Sequence, residues 1–220
     1  MAKHLEHEID KLKRKILGLA AFVEEAVARS VTAINERDAV AGQQIIDADS
    51  QVDAMEVDVE EECLKMLALY QPVAQDLRFI VACLRLNSDL ERIGDLAVNI
   101  AERAVFLASV PVPSIKPLDV GAFARHVRSM LSGALDALVN VDPLAARRVC
   151  AADDEADAMH RETFRRVEDA VREHPDEFAV LTHFLSVSRY LERIADHATN
   201  IAEDVIYMVE GAIVRHKAGA

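Results

Sequence analysis

Tryptophan is absent from this 220-residue sequence, and glycine, proline and aromatic residues are scarce. Seven glycines and six prolines leave long stretches without a residue that breaks a helix. Alanine, leucine, valine, glutamate and arginine dominate what is there. No segment of useful length alternates polar and apolar residues as a strand would. The composition therefore favours long helices that pack through small and aliphatic side chains.

The sequence also lacks a basic excess, a long apolar run and paired cysteines. Its formal net charge of −13 disfavours a nucleic-acid partner, because neutralising phosphates supplies most of that affinity. No apolar run approaches the roughly 20 residues that span a bilayer, and the charged segment 1–14 lacks the apolar centre of a signal peptide. Cys63, Cys83 and Cys150 lack CxxC spacing and are expected to be reduced, buried thiols. We expect a cytoplasmic protein that reaches a membrane only through a partner.

A proline-rich segment divides the chain almost at its middle. Residues 110–117 contain three prolines, which cannot continue a helix and favour an extended linker. Smaller breaks follow from Asp38, Pro72, Asp142 with Pro143, and Pro175. The predicted fold is all-α, with six long helices at roughly 3–35, 38–70, 73–108, 118–140, 142–173 and 176–215.

The two halves of the chain repeat each other. Leu90–Glu102 (LERIGDLAVNIAE) and Leu191–Glu203 (LERIADHATNIAE) are identical at ten of 13 positions. Asp49–Met55 (DSQVDAM) likewise aligns with Asp153–Met159 (DDEADAM). The order and near-equal spacing of these matches predict two tandem three-helix bundles related by an internal pseudo-repeat. The predicted domains are residues 1–109 and 118–220, joined by the linker 110–117.

Each repeat carries two acidic pairs at a spacing of four residues, which places both carboxylates of a pair on one helix face. Glu91, Asp157 and Glu192 interrupt heptad rows that are otherwise mostly apolar, so these acids should be half-buried. Half-buried carboxylates are costly unless they are paired, protonated or bound to a cation. The pairs are Asp49/Asp53 and Glu91/Asp95 in the first repeat, and Asp153/Asp157 and Glu192/Asp196 in the second.

A metal site is the leading interpretation of these pairs. The second and third helices of a repeat should be antiparallel neighbours, so that four carboxylates converge in each bundle. Oxygen ligands suit magnesium, calcium, manganese or iron. Asn99 and Glu102, with Asn200 and Glu203 in the second repeat, lie one and two turns further on and are candidates for extra ligands or for side chains that support the ligands.

Two other interpretations remain open. The acids could form ion pairs with Arg92 and Arg193 in a helical scaffold that needs no metal. A carboxylate-bridged metal oxidase is the enzymatic rival, but that chemistry uses Glu-x-x-His, which no histidine here satisfies. Asp157-Ala-Met-His160 is the nearest approach to it, and the first repeat has no counterpart. No assembled set of catalytic residues is evident.

The doubled LERIxDxAxNIAE pattern, together with PVAQDLR at Pro72–Arg78, resembles the PhoU family over essentially the whole chain. The resemblance implies that the eight paired acids hold iron or zinc. It also implies a negative regulator of phosphate uptake and phosphate-starvation signalling, which contacts the phosphate ABC transporter and a sensor histidine kinase. A homodimer is one open alternative for its assembly. The second repeat departs from the pattern, since Glu177–Val180 stands where the first has Gln75–Arg78.

Overall fold

Six long helices form nearly all of this protein in a computed structural model, which describes residues 2–115 and 119–211. These ranges contain no strand, and none of their helices is both long and apolar enough to cross a membrane. The prediction of an all-α fold is therefore confirmed. The helices are α1 (Ala2–Glu36), α2 (Ala39–Tyr70), α3 (Ala74–Ala108), α4 (Val120–Asn140), α5 (Pro143–Glu173) and α6 (Phe178–Glu210).

Aspartate caps begin three of the helices. Asp38 accepts hydrogen bonds from the backbone N–H groups of Val40 and Ala41, each at 2.9 Å. Asp142 caps α5 in the same way, and Asp119 caps α4. These contacts satisfy N–H groups that the helix itself leaves unpaired. The two caps predicted at Asp38 and Asp142 are confirmed, while α4 begins two residues later than expected.

The last helix differs most from its predicted bounds. Pro175–Glu177 form a short 3-10 turn, so α6 begins at Phe178 instead of residue 176. Proline supports the first turn of a helix but cannot donate the hydrogen bond that would join this turn to α5. Glu210 is the last α6 residue, and Gly211 follows in the left-handed conformation with φ 70°. The predicted extension over 212–215 lies outside the described residues.

The helices pack as two three-helix bundles that share one core. Helices α1, α2 and α3 contact one another, and so do α4, α5 and α6. The bundles are joined by α3 against α6 and α1 against α4, and buried side chains from all six helices belong to one apolar cluster. The two predicted bundles are therefore present, but their apolar cores merge. The predicted linker is non-helical over 111–115, and residues 116–118 lie outside the described ranges.

The described part of the linker is attached to the second bundle. The backbone N–H and the hydroxyl of Ser114 donate to the carboxylate of Glu177, at 2.9 and 2.6 Å. Ile115 packs on a small apolar cluster that contains Val167 and Leu181. The described part of the linker is therefore non-helical and held against the turn between α5 and α6.

Helices α3 and α6 run antiparallel along the contact between the bundles. At one end Arg78 donates to the carbonyl of Met208 at 3.2 Å. At the other end the rings of Phe106 and His183 stack with their centroids 3.7 Å apart. Arg78 belongs to the PVAQDLR segment, which has no copy in the second repeat, so part of that segment serves the contact between bundles.

Polar contacts also join α3 to α6 between these two ends. Arg85 pairs with the buried carboxylate of Asp204 at 3.2 Å. Asp89 lies 2.8 Å from Nδ1 of His197. A buried charge without a partner is costly in free energy, so sliding α3 along α6 would break these pairs at a cost. The contacts therefore specify the register of the two helices and hold them together.

All three cysteines are free thiols, but only two of them are buried. Cys63 and Cys83 have no exposed surface. Cys150 is half-buried on α5, so the expectation that all three would be buried is wrong for this residue. Burial raises the pKa of the Cys63 thiol to about 12 and that of Cys150 to about 11, which keeps both thiols protonated at neutral pH.

Replacing a cap should destabilise the whole protein. In Asp142→Ala the N–H groups of Leu144 and Ala145 lose their side-chain acceptor, which should cost about 1 kcal/mol. Urea unfolding followed by circular dichroism measures this loss. The control is Asp10→Ala, at an exposed position of α1, which should change the unfolding free energy little. Equal losses in the two variants would contradict the assigned cap.

Candidate metal centres

The first acidic cluster lies where α2 crosses α3. Asp49, Glu91 and Asp95 are half-buried there, and Asp53 is exposed at the edge. The two helices approach closely because Gly94 has no side chain. A Cβ at Gly94 would lie 3.1 Å from Cγ1 of Val52, tighter than ordinary packing. The two acidic pairs of the first repeat are therefore brought to one place, as the sequence predicts.

The carboxylates of this cluster repel one another across the two helices. Burial raises the pKa of Asp49, and the charges of Asp53 and Asp95 raise it further. Burial likewise raises the pKa of Glu91, with Asp95 adding to the effect and Arg92 opposing it. The charge of Asp95 on α3 raises the pKa of Asp49 on α2, and the charge of Asp53 on α2 raises the pKa of Glu91 on α3. The two acidic pairs therefore interact electrostatically across the two helices.

The second cluster has the same plan on α5 and α6. Asp153, Asp157 and Glu192 are half-buried. Burial raises the pKa of Asp153, followed by the charges of Asp196 and Asp157. It also raises the pKa of Glu192, where Asp157 adds to it. Asp196 is exposed as a whole residue, yet partial burial of its carboxyl and the charge of Glu192 raise its pKa too.

Arginine neutralises these clusters only in part. Arg92 lies 3.5 Å from Glu91, and Arg161 lies 3.1 Å from Asp157, each pair along a single helix. Both arginine side chains are 60% exposed, and exposed pairs contribute about 0–1 kcal/mol. Among the described residues, Arg193 forms no ion pair with the acids. Of the ion pairs considered from the sequence, the pair with Arg92 is therefore present but exposed, and arginine compensates only part of the charge of these carboxylates.

The fit of a metal ion has one observation against it and one in its favour. As placed in the described ranges, no three histidine, cysteine, aspartate or glutamate side chains are close enough to hold an ion, so binding requires side-chain rotation. In favour, the buried Asn87 Oδ1 has no hydrogen-bond donor in the described part of the chain, although its amide contacts Glu56 of α2. An orphaned buried acceptor beside carboxylates suits a cation or its bound water. The eight predicted ligands stay a prediction.

The two additional residues predicted in the first repeat have local partners. The Asn99 amide donates to the backbone carbonyl of Asp95 at 2.9 Å, within α3. Glu102 is exposed and pairs with Arg103 at 2.8 Å. Neither side chain is placed to join the first cluster without changing its partner, and a role for them at a metal stays a prediction.

Their equivalents in the second repeat are placed differently. The Asn200 amide donates to Asp89 at 3.3 Å, across the contact between bundles. Glu203 is half-buried near Cys150, whose thiol pKa its charge helps to raise. Asn200 therefore supports the α3–α6 contact, and both residues stay candidates for a role at the second cluster.

A further contact beside each cluster was missed from the sequence. The Asn87 amide donates to the Glu56 carbonyl at 2.9 Å and to its carboxylate at 3.1 Å. In the second bundle the Ser188 hydroxyl lies 2.8 Å from Nδ1 of His160. The available signal was spacing: Asn87 and Ser188 each stand one turn before the glutamate of the LERI segment. A polar residue at a position that faces the core is expected to have a hydrogen-bond partner, so this spacing could have singled out both residues.

A duplicated three-helix bundle with carboxylate pairs on the second and third helices of each copy defines a distinctive class of protein. The PhoU domain matches residues 16–104 and again 121–205, one match in each bundle. The chain belongs to the PhoU family.

Curated relatives and solved structures agree over nearly the full length. A "Phosphate-specific transport system accessory protein PhoU homolog" from Aquifex aeolicus is 37% identical, covering 96% of this chain and 95% of the relative. One from Pseudomonas putida is 35% identical, over 98% and 84%. The crystal structure of PhoU from Pseudomonas aeruginosa superposes with a TM-score of 0.91 at 34% identity, over 94% of this chain and 99% of that one. PhoU from Streptococcus pneumoniae gives 0.88 at 26%, over 96% and 99%.

Removing one clustered charge should stabilise the metal-free protein. The pKa of folded Glu192 lies above its usual 4.5, so folding binds protons and stability falls as pH rises through that interval. At pH 7 the penalty is fully present. In EDTA, Glu192→Gln should raise the Tm by about 1–2 °C at pH 7 and converge with wild type at pH 4. Glu102→Gln, which removes an exposed and paired acid, should not raise it. An unchanged or lower Tm for Glu192→Gln at pH 7 would contradict the repulsion.

Proposed function

We propose that this protein is a metal-binding regulator of phosphate uptake and phosphate-starvation signalling. The relatives named above are called accessory proteins of a phosphate-specific transport system, which supports a regulatory role and not an enzymatic one. The full-length match to them, with both bundles included, supports carrying that role to this chain.

The observation that carries the metal-binding part is the mutual repulsion of the two carboxylate clusters. Burial, followed by the charges of neighbouring acids, raises the pKa of Glu91 in the first bundle and of Asp153 in the second. The nearby arginine Arg92 is exposed and only partly compensates. A bound cation would offset the free-energy cost of the repulsion between these carboxylates. Metal binding would therefore stabilise the folded bundle. The donor set of carboxylate oxygens suits iron, manganese, magnesium or calcium, and zinc is expected by resemblance to the family.

The regulatory part concerns partners. The protein would act in the cytoplasm as a negative regulator, through contacts with the phosphate ABC transporter and a sensor histidine kinase. The net charge of −13 disfavours nucleic acid as a partner. Association with the membrane would then come through these partners, and a homodimer is one candidate assembly.

A helical scaffold without obligatory metal is the second candidate function. It is favoured by the finding that no three potential ligands in the described residues already enclose an ion position. In that case the merged core and the α3–α6 contact would hold the shape of the protein, and the acids would only contribute to a solvated surface.

Elemental analysis separates these two candidates. After reconstitution with iron, manganese or zinc and removal of free ions, the wild type should retain metal. Glu91→Gln should lose the metal of the first bundle and Glu192→Gln that of the second, because each variant removes one carboxylate ligand. Glu6→Gln, at an exposed position of α1, is the control and should retain both. A wild type that retains no metal under any of these conditions refutes metal binding.

Deletion of the gene tests the regulatory role. Cells that lack the protein should express phosphate-starvation genes in phosphate-rich medium, because the proposed repression is lost. Transcript measurements before and after reintroducing the wild-type gene check this, with the Glu6→Gln gene as a matched control that should also restore repression. Unchanged expression in the deletion strain counts against the role.

A further inference from the structure

The first helices of the two bundles differ in length. Helix α1 has 35 residues and α4 has 21, although each ends two residues before an aspartate cap, at Asp38 and Asp142. When the repeats are aligned on these caps, residues 2–15 of α1 have no counterpart in α4. The second bundle therefore lacks the part of its first helix that extends along α2 in the first bundle.

In the first bundle this additional part of α1 is a basic amphipathic helix that packs on α2. Leu12 is fully buried in the core. Lys15 lies 2.7 Å from Asp58, and Lys11 lies 3.2 Å from Glu62. The surface of α2 at this point is thus covered by apolar side chains with lysines beside them.

In the second bundle the equivalent surface of α5 borders an open groove. The linker covers only part of this surface, where Ile115 packs on Val167 and Leu181. Beside it, a groove of 340 Å³ lies between the first turn of α4 and the middle of α5, with Phe123 and Met159 among its lining residues. The groove therefore has an apolar floor that the described residues leave accessible.

The rim of the groove is acidic. Among the described lining residues, the three carboxylates of Asp119, Glu155 and Glu162 face a single cation, Arg166. Glu162 pairs with Arg166 at 2.9 Å, and it stands at the position of Asp58, which binds a lysine of α1 in the first bundle. Acidic side chains over an apolar floor complement a basic segment that has an apolar face.

We propose that this groove is a docking surface for a basic amphipathic helix of a partner protein. The apolar face of the helix lies on Phe123 and Met159, and its lysines or arginines bind Glu155 and Glu162. The inference rests on the partner contacts of the proposed function, to which it assigns a surface and a partner chemistry. It does not depend on metal binding.

The test uses a synthetic peptide with the sequence of residues 2–17 of this chain, because that segment covers the equivalent surface in the first bundle. Fluorescence anisotropy of the labelled peptide, titrated with the full-length protein, should show saturable binding. Glu162→Lys should weaken this binding by about tenfold or more, since it places a like charge against the lysines of the peptide. Glu168→Lys, at an exposed position of α5 outside the groove, is the matched control and should bind as the wild type does.

A second variant and a second peptide complete the experiment. Glu155→Lys should weaken binding in the same direction, and a peptide with Lys11→Glu and Lys15→Glu should bind less tightly to the wild type. Circular dichroism of each protein variant checks that it is folded. Absence of saturable binding, or equal effects of Glu162→Lys and Glu168→Lys, overturns this inference alone. The regulatory role is tested separately by the deletion strain, in which unchanged expression would count against the proposed function.

Discussion

Apolar packing between neighbouring helices forces carboxylates of like charge to share two small regions of this protein. Fully burying one leucine, isoleucine or valine contributes about 1.5–3 kcal/mol, whereas one like-charged pair on a helix costs about 0.2–0.5 kcal/mol. The cores of α2 against α3 and of α5 against α6 therefore overcome the repulsion easily. The close approach at Gly94 and Val52 intensifies the crowding in the first bundle. The proposed metal binding by these acids depends on apolar packing being stronger than the charge repulsion.

Local signals were sufficient for most of the fold. Asp38 and Asp142 placed helix starts within a residue, because a cap acts through N–H groups two or three positions away. The start of α6 after the 3-10 turn at Pro175 and its end before Gly211 were predicted less accurately, since several residues near each boundary can stop a helix. The repeat revealed two bundles, but not that their cores merge through α3 and α6.

The acidic pairs were predictable because both members of each pair lie on one helix, where a spacing of four fixes the geometry. The half-burial of Glu91, Asp157 and Glu192 followed from the same periodicity and is present. Contacts between helices were not predictable in this way. The register that brings Asn87 to Glu56, and Ser188 to His160, depends on packing that no single helix encodes.

The antiparallel contact of α3 with α6 joins equivalent helices of the two repeats, which is the arrangement of a two-fold symmetric dimer. Identical subunits would have to repeat every interaction about the axis. Here both copies lie in one chain, and Arg85 pairs with Asp204 while Ser186 and Arg103 occupy the related positions. Because both repeats lie in one chain, a residue in one repeat can change without a change at the equivalent position of the other. Such a protein keeps the architecture of a dimer while its two halves acquire unlike chemistry.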